Sequence, residues 1–252
     1  MPESTVPVPP RESTAWLAVF VIPPRDHPLA IHAGPLIGYD VWSGTLYPDD
    51  EALWPGFSTE QVTRIRTLPR PYGVHITISD ALEYPAAAVP TVVERLEAIT
   101  AQVPPFELAG VSYDQHFWDT VLALRWESGI NDLHRVATAA AVYLNTLRHR
   151  LPRVVVPPVT QPHMLRDWAI ETIFGRHWTI EKYYPHLTLG NALEDRAERD
   201  RLWATWQRSG YLSQNLADYN LAVERVYLMT VSADTRLWTI HPAYPEGFAL
   251  KG

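Results

Sequence analysis

Two short segments of the chain carry the same arrangement of a histidine and a threonine. His75-Ile-Thr77-Ile and His186-Leu-Thr188-Leu both follow the pattern His-x-Thr-x, with apolar residues at x. Because residues two apart on a β-strand face the same side, each histidine should share a face with its threonine while the apolar residues enter a core. An imidazole can take up or release a proton near neutral pH, and a hydroxyl can donate a hydrogen bond to a phosphoryl oxygen. Two such pairs that converge in one cleft would suit acid–base chemistry on a phosphoester.

Two other interpretations of these segments are weaker. One His-x-Thr on a strand is common by chance, and such a histidine is usually a hydrogen-bonded structural residue. A metal site is also disfavoured, because threonine is a poor ligand, no cluster of acidic residues accompanies either segment, and the His-x-x-x-His spacing of zinc proteases is absent. We therefore expect neither a metal nor a cofactor.

The context of the two segments is repeated as well. A predicted strand, a helix and a strand pair follow one another within residues 70–126 and again within residues 182–243. The helices are predicted at 89–103 and 196–208, and the turns of the strand pairs near 114–119 and at Ala233-Asp234. The predicted fold class is therefore α+β, with duplicated strand–helix–hairpin units in two lobes and two antiparallel sheets that face a central cleft, with the helices outside.

The rest of the chain is expected to complete a single domain over residues 15–252, after a flexible tail at 1–14. Residues 58–61 resemble a helix-capping box, with Ser58 and Gln61 in the positions that such a box requires. The other predicted elements are a buried strand at 15–23, a loop with a short strand at 28–46, one or two helices at 50–68, a strand at 72–79, a helix at 130–150 and an inserted excursion at 151–181.

Composition excludes several classes of protein. The chain has 252 residues, 46% of them hydrophobic, a net charge of −7 and no cysteine, so disulfides and thiol nucleophiles are excluded. The acidic balance argues against a long nucleic acid partner, and no apolar run approaches the ~20 residues that span a bilayer. The first residues lack the apolar region of a signal peptide. We expect a cytoplasmic protein with a small substrate, no membrane contact and no inferred partner protein.

The pair of H-x-[ST]-x motifs resembles the signature of the two-histidine (2H) phosphoesterase superfamily. This resemblance covers about residues 15–245 in the order of elements and only the two motifs in detail. It implies a two-lobed α+β fold and a metal-independent phosphodiesterase that acts on a cyclic phosphate, or a related phosphodiester, of a nucleotide or a short RNA end. It also implies that His75 and His186 are the acid and the base and that Thr77 and Thr188 hold the phosphate. Which histidine is the base is left open by the sequence, with His186 favoured.

Five further residues are candidates for binding the substrate. Tyr184 shares a predicted strand face with His186, and Tyr72 and Arg70 precede the first motif. Arg166 and Trp178 lie in the inserted excursion, which could close over a nucleotide.

Two alternatives to the hydrolase stay open at this point. One is the joining of RNA ends, as in the RNA 2′,5′-ligase-like members of the superfamily. The other is a module that binds a nucleotide or phosphorylated metabolite as a sensor without turning it over.

Overall fold

The computed structural model describes residues 13–114, 119–149, 169–174, 180–232 and 234–252. Within these ranges the protein combines α-helices with antiparallel sheets, as predicted. The helices are α1 (Pro28–Ile37), α2 (Thr59–Arg66), α3 (Val89–Thr100), α4 (Ile130–Tyr143) and α5 (Arg196–Arg208). The strands are β1 (Thr14–Val21), β2 (Tyr39–Asp40), β3 (Thr45–Leu46), β4 (Ile76–Pro85), β5 (Phe106–Leu108), β6 (Ser112–Tyr113), β7 (Leu122–Arg125), β8 (Leu187–Gly190), β9 (Leu221–Val223), β10 (Arg225–Val231), β11 (Trp238–Ile240) and β12 (Phe248–Ala249).

Two antiparallel sheets carry the two motifs. The larger has the strand order β11-β10-β1-β4, with β12 also paired to β10, and it contains the strand that follows His75. The smaller has the order β6-β7-β8 and contains the strand that follows His186. Each motif therefore lies at the beginning of a strand, one in each sheet.

Strand pairing crosses between the two repeated units. The β6–β7 pair of the first unit adds the second motif's strand β8 at its edge, whereas β10 and β11 of the second unit join the first motif's strand through β1. The short strands β5 and β9, one from each unit, pair with each other, with Phe106 opposite Val223. Neither unit could complete its own sheet alone. The division into units and an inserted segment remains a prediction from the sequence.

One large core lies under both sheets. The apolar residues of the motifs, Ile76, Ile78, Leu187 and Leu189, all belong to it and are almost fully buried. A second, smaller cluster covers the opposite face of the larger sheet and includes Phe20. The larger sheet is thus apolar on both sides, and its second side carries the first motif.

The loop predicted at the start of residues 28–46 is wrong, because the helix α1 occupies Pro28–Ile37. Its interior contains Gly34 and Pro35, which are poor helix formers, so the sequence does not predict a helix there. The helix begins at Pro28, and the side chain of His27 caps it by accepting a hydrogen bond from the Leu29 N–H. At its C-terminal end, the buried Arg66 donates hydrogen bonds to the carbonyl oxygens of Pro35 and Leu36, at 2.5 and 2.8 Å, and satisfies groups that a helix end leaves open.

Other local predictions are confirmed. The capping box of Ser58 and Gln61 begins α2, and α5 occupies the predicted residues 196–208. The predicted central helix ends earlier than residue 150, at Tyr143, and a short 3₁₀ helix follows at Asn145–Leu147. Most of the predicted insertion 151–181, part of the first turn and Ala233 lie outside the described residues. None of the helices in the described ranges is both long and apolar enough to cross a bilayer.

Candidate active site

The two motifs adopt the same local structure. From Val74 to Ile78, and again from Pro185 to Leu189, buried residues alternate with partly exposed ones. The histidine and the threonine are the partly exposed members in both segments. The alternation that places each histidine beside its threonine, away from the core, is therefore confirmed.

Both imidazoles are held through the same ring nitrogen. His75 Nδ1 lies 3.0 Å from the carbonyl oxygen of Gly73, and His186 Nδ1 lies 2.8 Å from that of Tyr184. Because a carbonyl oxygen can only accept, Nδ1 carries a proton and donates in each case. The neutral form of either ring then has its lone pair on Nε2, which can accept a proton, and the charged form can donate from Nε2.

Contacts across the two sheets bring the motifs together. The hydroxyl of Tyr183, three residues before His186, donates a hydrogen bond of 2.6 Å to the carbonyl oxygen of Thr77. The two histidines are also close enough for positive charge on His186 to lower the pKa of His75. The second motif is thus tied directly to the backbone of the first.

A cleft of about 230 Å³ lies between the motifs. It is lined by Phe20, Leu68, Pro69, Tyr72, His75, Thr77, Asp80, Thr188 and Asn191. The first motif contributes both of its polar side chains, and the second contributes Thr188. The lining thus combines apolar and aromatic residues with polar ones.

His75 lies among aromatic rings. Its ring centroid is 4.2 Å from that of Phe20 and 5.5 Å from that of Tyr72, and Tyr72 in turn stacks on Trp238. Burial, with a smaller contribution from the charge of His186, lowers the pKa of His75 to about 4, while the bond to Gly73 acts in the opposite direction. His75 is therefore neutral near pH 7.

His186 lies beside a buried carboxylate. The Tyr184 hydroxyl donates a hydrogen bond of 2.7 Å to Oδ2 of Asp114, whose side chain is only 3% exposed. Burial, the largest cause, lowers the pKa of His186 below its ordinary value as well, while its bond to Tyr184 and the negative charge of Asp114 partly offset that shift. A negative charge thus stabilises the proton on His186. No carboxylate is among the groups that shift the pKa of His75.

Of the predicted substrate-binding residues, the structure places some beside the motifs and others elsewhere. Tyr184 adjoins His186, and Tyr72 lines the cleft. Arg70 turns away from the motifs, since its guanidinium lies 3.5 Å from the carboxylate of Asp49. Arg166 and Trp178 lie outside the described residues.

Arg70 borders a different and larger cavity of about 510 Å³ beside Trp54 and α2. Neither histidine nor threonine of the motifs is among the described residues that line it. Size alone would favour this cavity as a binding site. The smaller cleft is the better candidate for chemistry because three polar side chains of the two motifs, His75, Thr77 and Thr188, line it.

Two polar residues near His186, Asp114 and Arg125, were not predicted from the sequence. Leu187 and Thr188 of β8 pair with Leu124 and Ala123 of β7, and Arg125 follows Leu124, close enough for its charge to lower the pKa of Tyr184. Asp114 follows β6 directly, and its N–H donates to the carbonyl oxygen of Ala123. The one usable signal was Arg125, a lone charge at the end of the apolar strand LALR.

No metal-binding cluster of three or more histidine, cysteine, aspartate or glutamate side chains is found in the described ranges. The site's polar groups in these ranges are imidazoles, hydroxyls, a carboxamide, carboxylates and a guanidinium. Their chemistry is proton transfer and hydrogen bonding to an anion.

Comparison with known proteins gives a loose structural resemblance. No protein-family model and no curated protein matches the chain. A crystal structure of E. coli LigT complexed with 3′-AMP is similar at 15% identity and a TM-score of 0.45, covering 95% of this chain and 100% of that one. A crystal structure of a phosphoesterase is similar at 17% identity and a TM-score of 0.43, covering 94% and 99%. E. coli LigT complexed with phosphate is similar at 14% identity and a TM-score of 0.40, covering 91% and 94%.

Proposed function

We propose that the protein is a 2H phosphoesterase that hydrolyses a cyclic phosphate, or a related phosphodiester, of a nucleotide or a short RNA end. The observation that carries the proposal is the pair of imidazoles, each donating from Nδ1 to the carbonyl oxygen two residues earlier, so that proton transfer falls to Nε2. The hydrogen bond from Tyr183 to Thr77 supports their action as one site. A coincidental pair of motifs would not have to be joined in this way.

Hydrolysis at such a site needs one proton acceptor and one proton donor. The neutral imidazole accepts a proton from water through Nε2 as the water oxygen bonds to phosphorus. The protonated imidazole gives its Nε2 proton to the leaving oxygen as the phosphorus–oxygen bond breaks. The products are a phosphomonoester and a free hydroxyl, and exchange of one proton with solvent at each histidine restores the starting state.

The threonine hydroxyls would stabilise the charge that develops on phosphorus. Thr77 and Thr188 line the same cleft, one from each sheet. Hydroxyl donors aimed at the non-bridging oxygens are most useful where water is largely excluded. Asn191 lines the cleft too and can add an amide donor.

The shape of the cleft supports a small substrate. At about 230 Å³ the cleft is smaller than a typical drug-sized ligand site, so it suits a mononucleotide or the end of a short strand. The partly exposed ring of Tyr72 lines the cleft and offers an aromatic surface on which a base can stack. The net charge of −7 opposes a long polyanion.

The experiment is a phosphodiesterase assay on a panel of 2′,3′-cyclic nucleotides in the presence of EDTA. Wild type is compared with His75→Ala, His186→Ala and the control His241→Ala, whose histidine caps a turn near Tyr244. We expect turnover to survive EDTA, to fall about 10²–10⁴-fold in each motif variant and to be unchanged in the control. Wild-type rates in either motif variant would reject the proposal.

Ligation is distinguished from hydrolysis in the same series. RNA ends that carry a 2′,3′-cyclic phosphate and a 5′-hydroxyl are incubated with the protein and separated on a gel. If joined product forms, the proposed activity changes from hydrolysis to ligation at the same histidines.

A further inference from the structure

The two motifs differ at the residue two positions before the histidine. In the first motif this residue is Gly73, and in the second it is Tyr184. Both contribute a carbonyl oxygen that accepts the histidine Nδ1 proton. Only Tyr184 adds a side chain, and that side chain donates a hydrogen bond of 2.7 Å to Asp114. A single residue therefore links His186 to a carboxylate, and the first motif has no counterpart of it.

The carboxylate is part of the framework of the smaller sheet. Asp114 is buried, and its backbone N–H is bonded at 3.0 Å to Ala123 in β7. A buried carboxylate is costly unless hydrogen bonds and opposite charge stabilise it. The Tyr184 hydroxyl supplies a bond, and burial together with that bond raises the pKa of Tyr184, so the hydroxyl stays protonated and donates.

We infer that Asp114 and Tyr184 are positioning residues that make His186 the proton donor of the reaction and leave His75 as the proton acceptor. This inference rests on the proposed function and deepens it. It reverses the assignment favoured from the sequence, in which His186 was the base. The sequence could not show the carboxylate, because Asp114 is 72 residues away from His186 along the chain.

The charges around the two imidazoles support this division. Four titratable groups of the described residues lie around His186. They are Asp114 after β6, Arg125 on β7, Tyr184 two residues before His186, and His75 across the cleft. Burial lowers the pKa of His186 overall, and the nearby Asp114 carboxylate opposes that shift by stabilising the charged imidazole. His75 is buried against the ring of Phe20, and this burial and the charge of His186 both disfavour a proton on it.

The position of Arg125 fits the same scheme. Its Nε–H donates to the Ser112 hydroxyl at 3.2 Å, and its charge lowers the pKa of Tyr184, whereas Asp114 raises it. The guanidinium thus balances the buried carboxylate on the Tyr184 side.

The first test measures protonation directly, without turnover. The Cε1–H signals of the histidines are followed by NMR against pH in wild type, Asp114→Asn and the control Asp200→Asn. The control removes another carboxylate that accepts a 2.7 Å bond from a tyrosine hydroxyl, that of Tyr113. His75→Gln and His186→Gln assign the signals.

We expect His186 to titrate at a higher pH than His75 in wild type. Asp114→Asn should lower the pKa of His186 by about 0.5–1 unit and leave His75 nearly unchanged, and Asp200→Asn should move neither. An unchanged His186 in Asp114→Asn, or a His75 that titrates above His186, would overturn the inference.

The second test uses the pH profile of kcat/KM, whose ascending limb reports the base and whose descending limb reports the acid. In Asp114→Asn the descending limb should move to lower pH while the ascending limb stays in place. Tyr184→Phe keeps the ring and the carbonyl that holds His186, so it should fold even where Asp114→Asn does not, and it should move the same limb.

The outcomes separate the inference from the proposed function. A uniform loss of rate at all pH values, with neither limb moved, would mean a purely structural role for Asp114 and Tyr184 and would overturn the inference alone. A wild type that turns over no phosphodiester would overturn the proposed function, and the proton-donor role with it, even where His186 titrates as expected.

Discussion

His75 and His186 are held in the same way but have different neighbours. Each donates from Nδ1 to the carbonyl oxygen two residues earlier, and each begins a strand whose alternate residues enter the core. Around His75 lie the rings of Phe20 and Tyr72, whereas Tyr184 joins His186 to a buried carboxylate. The two motifs thus hold their histidines in the same way but in two different electrostatic environments. A reaction with one acid and one base requires such a difference.

The backbone two residues before the histidine differs as well. Gly73 has φ 67° and ψ −160°, a conformation that is essentially restricted to glycine. Tyr184 has no positive φ and can carry a side chain. The first motif therefore reaches its carbonyl contact through a glycine turn, and the second reaches it through a residue that is free to hold a partner.

The largest effect is expected where the two motifs are alike. Thr77→Val and Thr188→Val keep the shape and the strand preference but remove the hydroxyl, so each should lower kcat/KM about 10²-fold. Steady-state kinetics on a cyclic nucleotide measures the loss, and Thr239→Val on β11 is the matched control. Strongly unequal losses would show that the two hydroxyls do not share the phosphate, and unchanged rates would remove them from the site.

A smaller effect is expected at the glycine turn. In Gly73→Ala the new Cβ would lie 3.2 Å from Val41 Cβ and 3.3 Å from the carbonyl oxygen of Tyr39, in a backbone conformation unsuited to alanine. We expect a loss of about 1–3 kcal/mol in the free energy of unfolding, measured by urea denaturation.

Gly56→Ala is the control for that substitution. Gly56 also has a positive φ, of 81°, but nothing lies within 4 Å of the added Cβ. Its destabilisation should be clearly smaller than that of Gly73→Ala. Equal losses in the two variants would mean that the close packing around Gly73 contributes nothing.

The smallest effect is expected at the bond that joins the motifs. Tyr183→Phe leaves the Thr77 carbonyl without this partner and should reduce the free energy of unfolding by about 1 kcal/mol. Tyr113→Phe, which loses a bond to the half-exposed Asp200, should cost less. Thermal unfolding of the three proteins decides, and equal stability of wild type and Tyr183→Phe would show that this bond does not hold the sheets together.

Local pattern was enough to predict the parts of the site that lie within a few residues of each other. The alternation of His75, Ile76, Thr77 and Ile78 follows from strand geometry alone. The capping box at Ser58 likewise depends on residues only three positions apart. Both predictions needed no knowledge of the tertiary structure.

Contacts that depend on strand order could not be predicted in this way. Asp114 comes close to His186, and Arg125 to Tyr184, because β7 of the first unit pairs with β8 of the second, and the sequence of either unit alone does not place them together. The ion pair of Arg70 with Asp49, 3.5 Å long, likewise joins residues that the local pattern does not connect, and a role of Arg70 in binding the substrate stays a prediction. The helix α1 was missed because His27 and Arg66 complete hydrogen bonds that its own sequence leaves open.

The most direct test of two histidines with two different roles is a change of leaving group. Each variant, His75→Ala and His186→Ala, is assayed on a diester with a nucleoside leaving group and on one with p-nitrophenolate, which departs without being protonated. His186→Ala should lose about 10²-fold more activity on the first substrate than on the second, whereas His75→Ala should lose equally on both. Equal losses for His186→Ala, or rescue of His75→Ala by the p-nitrophenyl substrate, would contradict the account.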